Sequence, residues 1–176
     1  TLPGGRTISY NYDATGRLAT IGDWASGVIN YNFDADGNLT GLSRSNGVNS
    51  AYGYDNAGRL TNISHNGPSG NLLFTNYTLD ANGNRTAMAS NGGTESYTLD
   101  VLNRLTNVSY PNGDTAAYSY DPNGNRLSQT FNGVTTNYSY DNAGQLLSDG
   151  ATSYSYDANG NLITAGADSY TWDWAN

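Results

Sequence analysis

Cysteine and lysine are absent from the 176 residues, and histidine and methionine occur once each. Without cysteine there is no disulfide framework and no thiol chemistry, and the compartment is left open. Seven arginines stand against fifteen carboxylates, giving a net charge of −8 and a pI near 4.2. That balance opposes binding to a phosphate backbone or to an anionic membrane surface. No apolar run is long enough to span a bilayer, and Thr1-Leu2-Pro3-Gly4-Gly5-Arg6 does not read as a signal peptide. Neither nucleic acid nor membrane insertion is expected. No window carries an apolar stripe at helical spacing, and glycine and asparagine are too dense for helices.

What is present is a repeat. Tyr-x-(bulky apolar)-Asp occurs nine times, with aspartates at Asp13, Asp34, Asp55, Asp80, Asp100, Asp121, Asp141, Asp157 and Asp173. The intervals are 21, 21, 25, 20, 21, 20, 16 and 16 residues. Three places before each Asp stands Tyr10, Tyr31, Tyr52, Tyr77, Tyr97, Tyr118, Tyr138, Tyr154 or Tyr170. Immediately before it stands Tyr12, Phe33, Tyr54, Leu79, Leu99, Tyr120, Tyr140, Tyr156 or Trp172. Fourteen of the fifteen tyrosines fill these two positions, so the aromatic content is architectural. A fixed period of this length marks an array of supersecondary units that stabilise one another.

Each unit spells a hairpin. The two bulky residues are two apart and share one face of an extended chain. Asp then opens a type I turn, and the residue three places on closes it in the left-handed region through a bulge. That residue is Gly16, Gly37, Gly58, Gly83, Gly124, Gly144 or Gly160. Asn103, and Asn176 in the ninth copy, replace it with the non-glycine residue best suited to that conformation. A return strand follows, opening with Leu18, Leu39, Leu60, Leu105, Leu146 or Leu162, or with Arg85 or Arg126. A second turn signal (Pro3 to Gly5, Ser45 to Gly47, Asn91 to Gly93, Pro111 to Gly113, Asn132-Gly133) leads to the next Tyr.

The expected fold is therefore all-β: tandem hairpins of about 20 residues forming one long, twisted, coiling antiparallel sheet. The chain reads as a single array, 1–176, of about eight and a half hairpins and about 17 strands, with both ends cut inside a repeat. Its core is expected to be a thin layer of stacked Tyr and Leu. The 16-residue periods predict shorter strands, and Asn66 to Asn71 reads as a longer loop thrown out of the pattern. The ends carry no polar cap, which predicts a piece of a longer array or edges that meet other copies.

Chemical sites are sparse. His65 has no second histidine or cysteine to build a metal site or triad with, and it reads as a loop residue. Asp34 and Asp36 are close, but Asp34 belongs to the turn series, which disfavours paired-carboxylate hydrolysis. Asp34-Ala35-Asp36 and Asp80-Ala81-Asn82 mimic the front of a calcium loop, yet the bidentate Glu is missing. The glycines recur at turn spacing with no helix after them, so they do not cradle phosphate. Trp24, Trp172 and Trp174 fall partly outside the ladder positions and are the candidates for stacking on sugars; core or edge packing is the competing role. Six Asn-x-Ser/Thr sequons occur, at Asn38, Asn62, Asn76, Asn84, Asn107 and Asn137, a number this composition yields by chance. No catalytic residue and no cofactor is expected.

The stretches Tyr52 to Thr61 (YGYDNAGRLT) and Tyr154 to Leu162 (YSYDANGNL) resemble the repeats of the YD-repeat, or RHS-repeat, family. The resemblance covers essentially the whole chain. It implies a spiral β-sheet that winds into a hollow shell, as in bacterial Rhs toxins, toxin-complex cocoons, wall-associated proteins and teneurins. It further implies a non-catalytic segment of a large secreted or surface bacterial protein, whose partners are further repeats of the same polypeptide and an enclosed C-terminal effector. Nothing here resembles the self-cleaving region of those toxins. A self-associating fibre or adhesin, joined through open strand edges, and a glycan-binding hairpin module are the alternatives that the residues leave open.

Overall fold

The computed structural model describes residues 3–173. Among them there are strands and turns and no helix. The strands are β1 (Ser9–Tyr12), β2 (Leu18–Gly22), β3 (Val28–Phe33), β4 (Leu39–Arg44), β5 (Asn49–Tyr54), β6 (Leu60–Gly67), β7 (Gly70–Leu79), β8 (Arg85–Ser90) and β9 (Gly93–Leu99). They continue as β10 (Leu105–Ser109), β11 (Thr115–Tyr120), β12 (Arg126–Phe131), β13 (Val134–Asn137), β14 (Ser139–Tyr140), β15 (Leu146–Ser148), β16 (Tyr154–Tyr156), β17 (Leu162–Ala165) and β18 (Asp168–Ser169). Strands β1 to β13 are neighbours in chain order in one 13-stranded antiparallel sheet, as short hairpin connections dictate. By contact the chain falls into two compact units, Thr1–Glu95 and Ser96–Asn176.

Every hairpin built on a repeat Asp closes in one way. In the third, Tyr52 pairs Ile63, Gly53 pairs Asn62 and Tyr54 pairs Leu60, so Thr61 is an unopposed bulge residue. The bulge puts Leu60 and Ile63, three apart, on the face that carries Tyr52 and Tyr54. The same shift recurs one step before the turn in the first hairpin (Tyr12 to Leu18) and in the eighth (Tyr156 to Leu162). It sorts most side chains by face, with Phe74, opposite Ser64, an exception. One face holds the tyrosines against Ile21, Leu42, Ile63, Met88 and Val108. The other pairs small uncharged residues: Asn11 with Thr20, Thr98 with Asn107, Ser119 with Ser128, Ser155 with Thr164. Their hydroxyls and amides link across strands, as between Ser119 and Ser128 at 2.6 Å and Thr130 and Thr135 at 2.8 Å.

The core is as thin as a single sheet requires: among apolar residues Val108 and Ala116 are buried, at 3% exposure each. The ladder tyrosines are not simply stacked on one another. Arg85 lies over Tyr77 at 4.1 Å and Arg126 over Tyr138 at 4.3 Å, so guanidinium groups cover the rings.

Two expectations are corrected. The sheet is not continuous to the end: after Asn137 it gives way to a two-stranded sheet (β14–β15) and a three-stranded one (β16–β18). The 16-residue periods leave strands of two to four residues there, too short to overlap a neighbour over a full ladder. The ladder does not vanish at the break, since the Tyr138 N–H still donates to Leu127 O at 2.9 Å. Second, Asn66 to Asn71 is no loop. β6 and β7 pair as far as Gly67 with Gly70 around Pro68-Ser69, so the extra residues lengthen a hairpin. Pro68 fixes the turn, and β-rich Leu72-Leu73-Phe74 sustains the ladder.

Candidate functional site

The residues singled out by the sequence meet along the turn edge. For Asp13, Asp34, Asp55, Asp80, Asp100, Asp121, Asp141 and Asp157, the Asp N–H donates to the carbonyl four residues on, at 2.8–3.0 Å. The closing residue returns its N–H to the Asp carbonyl, from Gly16 to Gly160, with Asn103 in the fifth copy. Asn103 has φ 61° and Gly124 φ 95°, the left-handed conformation that the turn requires. Asp173 ends the described residues, and Asn176 and Trp174 lie outside them.

The carboxylates serve their own turns. Asp55 Oδ1 accepts the N–H groups of Ala57 at 2.9 Å and Arg59 at 3.0 Å, while Oδ2 accepts from Arg59 Nε at 2.6 Å. In the Asp34 and Asp80 turns the asparagine four residues on does the same work: Asn38 and Asn84 donate backbone and side-chain N–H to the two oxygens. The two calcium-like stretches thus have their leading carboxylates engaged internally. Hydrogen bonding holds several carboxyls below their ordinary range. Bonds from the Thr15 hydroxyl and then Arg17 do so at Asp13, and the Arg59 and Arg104 backbone N–H groups, first among several bonds, at Asp55 and Asp100. The Asn38, Asn84, Asn125 and Asn161 side-chain amides lead at Asp34, Asp80, Asp121 and Asp157.

A pattern unseen in the sequence reading now stands out. The residue four past the Asp alternates: Arg17, Asn38, Arg59, Asn84, Arg104, Asn125, Gln145, Asn161. Each arginine also reaches the next hairpin. Arg17, Arg59 and Arg104 donate through Nη1 to the carbonyls of Asp34, Asp80 and Asp121 at 3.3, 3.2 and 2.8 Å. Gln145 likewise donates to Gly160 O at 3.4 Å. Arg17 and Arg104 lie over the rings of Phe33 and Tyr120, each at 4.8 Å. Arg-type and Asn-type hairpins are thereby coupled in twos. The signal was legible as a side-chain alternation at one fixed offset, but only once two hairpins are taken as the period.

The residue before the Asp makes a second link, backward. Tyr54, Tyr120, Tyr140 and Tyr156 donate their hydroxyls to Leu39, Leu105, Arg126 and Leu146 carbonyls at 2.9, 2.9, 3.1 and 3.0 Å. Every acceptor is the residue five past the preceding Asp. Trp172 follows the rule with its indole N–H, donating to Leu162 O at 2.7 Å. Trp24 sits in the Asp23–Gly27 turn with the Arg6 guanidinium 5.2 Å from its ring centre. The other bulky candidates, Tyr31, Tyr52, Tyr77, Tyr97, Tyr118, Tyr138 and Tyr154, are half-buried, whereas Tyr10 and Tyr170 are exposed.

His65 is corrected from loop to strand. It lies in β6, its Nδ1 2.8 Å from the hydroxyl of buried Ser50, which also accepts from Arg44 Nη1 at 3.1 Å. The Ser50 hydroxyl thus accepts from Arg44 and shares one further hydrogen with His65 Nδ1, whose direction the histidine tautomer sets. Ser50 is 4% exposed, and the three side chains tie strands β4, β5 and β6. Among the described residues no group of three potential metal ligands occurs.

A chain of bulged hairpins, closed by Asp and locked to one another by tyrosine and arginine, is a YD-type repeat array. The family comparison agrees: the Teneurin YD-shell model matches residues 81–175, and the RHS Repeat model matches residues 1–28 and 33–72. The chain belongs to the YD-shell family. Among solved structures it is similar to the crystal structure of TcdB2-TccC3-TEV, with 18% identity and a TM-score of 0.58, covering 93% of this chain and 12% of that one. A second likeness is to the crystal structure of TcdB2-TccC3, with 19% identity, a TM-score of 0.51 and coverage of 89% and 12%. At that identity the likeness concerns the fold, and the chain spans about an eighth of those proteins' length. No curated protein matches the chain significantly.

Proposed function

We infer that this segment of YD-repeat shell serves as wall, without catalysis, in a larger secreted or surface bacterial polypeptide, and that the wall separates an enclosed segment from its surroundings. One observation carries the reading: the Asp-turn carboxylates, the residues four past them and several of the aromatics before them are committed to closing a turn or bonding the neighbouring hairpin. Turn carboxylates accept from their own turns, the arginines that follow them reach the next Asp carbonyl, and aromatic donors reach back to the previous return strand. Side chains so engaged stiffen a sheet that has almost no buried core.

The test uses the intact polypeptide that carries these residues. Under native conditions the enclosed segment should resist protease, and it should become cleavable once denaturant melts the repeats. Equal digestion of that segment before and after melting would overturn the enclosure.

A further inference from the structure

We propose that the cleft between the Asp23–Gly27 and Ser45–Val48 turns is a binding site for a free α-amino acid with an apolar side chain. Arg44 meets its carboxylate and Asp23 its ammonium group. The inference stands apart from the wall reading and does not need an enclosed segment.

The site begins with an arginine that the rest of the molecule leaves unanswered. Arg17, Arg59 and Arg104 pair with carboxylates, and Arg6, Arg85 and Arg126 lie over aromatic rings. Arg44, half-buried at the end of β4, does neither among the described residues. It is nevertheless held in place. Its Nη1 donates to Val48 O at 3.4 Å and to the buried Ser50 hydroxyl at 3.1 Å, and Ser50 is tied in turn to His65. Nε and Nη2, the side-on pair of the guanidinium, have no acceptor among the described residues. Two parallel donors fixed in this way match the two oxygens of a carboxylate. A half-buried cation with no counter-ion carries a desolvation cost that an anionic ligand offsets.

The surface beside Arg44 defines what that carboxylate carries. Ile21 opposes Ile29 and Ile29 opposes Arg44, so the three share one row across β2, β3 and β4. With Val28 they give a cleft of about 310 Å³ an apolar floor next to the guanidinium. Ligand sites span roughly 300–1,000 Å³, so this one takes a small molecule. Asp23 lines the same cleft. Its Oδ1 accepts the N–H groups of Ala25 at 2.8 Å and Gly27 at 2.7 Å, and its Oδ2 has no donor among the described residues. No ion pair joins Asp23 to Arg44. At about 4.8 Å per strand, β2 and β4 stand about 10 Å apart, which leaves room for one ligand met from both sides.

The two charges decide the class. A simple carboxylate at Arg44 would lie beside the Asp23 anion, and a simple amine at Asp23 would lie beside the Arg44 cation. A zwitterion satisfies both groups, and the apolar floor takes its side chain. Leucine, isoleucine and valine have that constitution.

The test is equilibrium dialysis of isotope-labelled L-leucine against the intact polypeptide that carries these residues. We expect saturable uptake. 4-Methylpentanoate lacks the ammonium group and 3-methylbutylamine lacks the carboxylate, and each should compete about tenfold more weakly than leucine, or worse. Arg44→Lys keeps the positive charge and removes the fork, and it should lower leucine affinity by about tenfold or more. Asp23→Asn keeps the Oδ1 that closes the turn and should bring leucine down to the level of 4-methylpentanoate. Melting curves separate loss of the site from loss of the fold. Should Arg44→Lys fail to fold, Asp23→Asn, on an exposed turn, still decides the matter. No saturable uptake at millimolar leucine, uptake unchanged by Asp23→Asn, or competition by 4-methylpentanoate as strong as by leucine would overturn the proposal. None of these results would touch the protease test of the wall.

Discussion

At the residue scale, the turn aspartate and its closing glycine set the fold's tolerance. Gly124 has φ 95° and open space where a Cβ would stand, so a substitution there meets only backbone strain. We expect Gly124→Val to lower stability by about 1–3 kcal/mol in denaturant melts, because a β-branched residue resists positive φ. The aspartates predict acid behaviour. Their folded carboxyls titrate lower than free ones, so their contribution is complete above the ordinary carboxylate range, near pH 3.9, and fades as pH falls through the folded values. The melting temperature should therefore hold from neutrality to about pH 4 and fall below it. Asp100→Asn should lower it at pH 7 and flatten the acid limb.

These turns were readable in advance because Asp-x-x-Gly constrains φ through sterics alone, and Asn103 fell under the same rule. The Asp23–Gly27 turn was not readable: it places Ser26, at φ 64°, where other copies use Gly or Asn. Nor was His65, since the hydrogen bond that holds it comes from Ser50, fifteen residues away on another strand.

At the scale of the hairpin, stability rests on cross-links instead of burial. Tyr54→Phe removes one hydroxyl that bonds a backbone carbonyl and should cost about 0.5–1.5 kcal/mol, with Leu39 O left to water. Asn132 joins two roles: it holds φ 47° in a two-residue turn, and its side chain accepts the Thr115 N–H at 2.8 Å. Ser45 and Asn91 cap Val28 and Phe74 in the same manner. Hairpin existence and pairing were legible because turn signals and alternating aromatics agree. The bulge at the glycine was foreseen, whereas the additional one at Thr61 was missed because a three-residue spacing such as Leu60 to Ile63 fits no pure strand period and registers only beside its partner strand. The polar face also explains four sequons. Asn62, Asn76, Asn107 and Asn137 each stand two residues from Ser or Thr because both lie on the small, uncharged side.

At the scale of the molecule, order should fall off toward the short strands. In unit Ser96–Asn176, β14 and β15 have two and three residues, against five and six in β10 and β11. Hydrogen exchange should deprotect Ser139 to Ser148 well before Leu105 to Tyr120, and uniform protection across the unit would contradict the ranking. The break itself escaped the sequence because shortened periods predict shorter strands, whereas thinning of the shared ladder to isolated bonds depends on how far neighbouring hairpins overlap.

The alternation of Arg-type and Asn-type hairpins also governs how such a chain can lengthen. Inserting one hairpin alone would seat two guanidinium groups over adjacent turns or leave an Asp carbonyl without its donor. Adding a couple of hairpins preserves every partner. Growth and loss should therefore proceed in steps of roughly forty residues, so that the natural module of exchange among such walls is twice the visible motif.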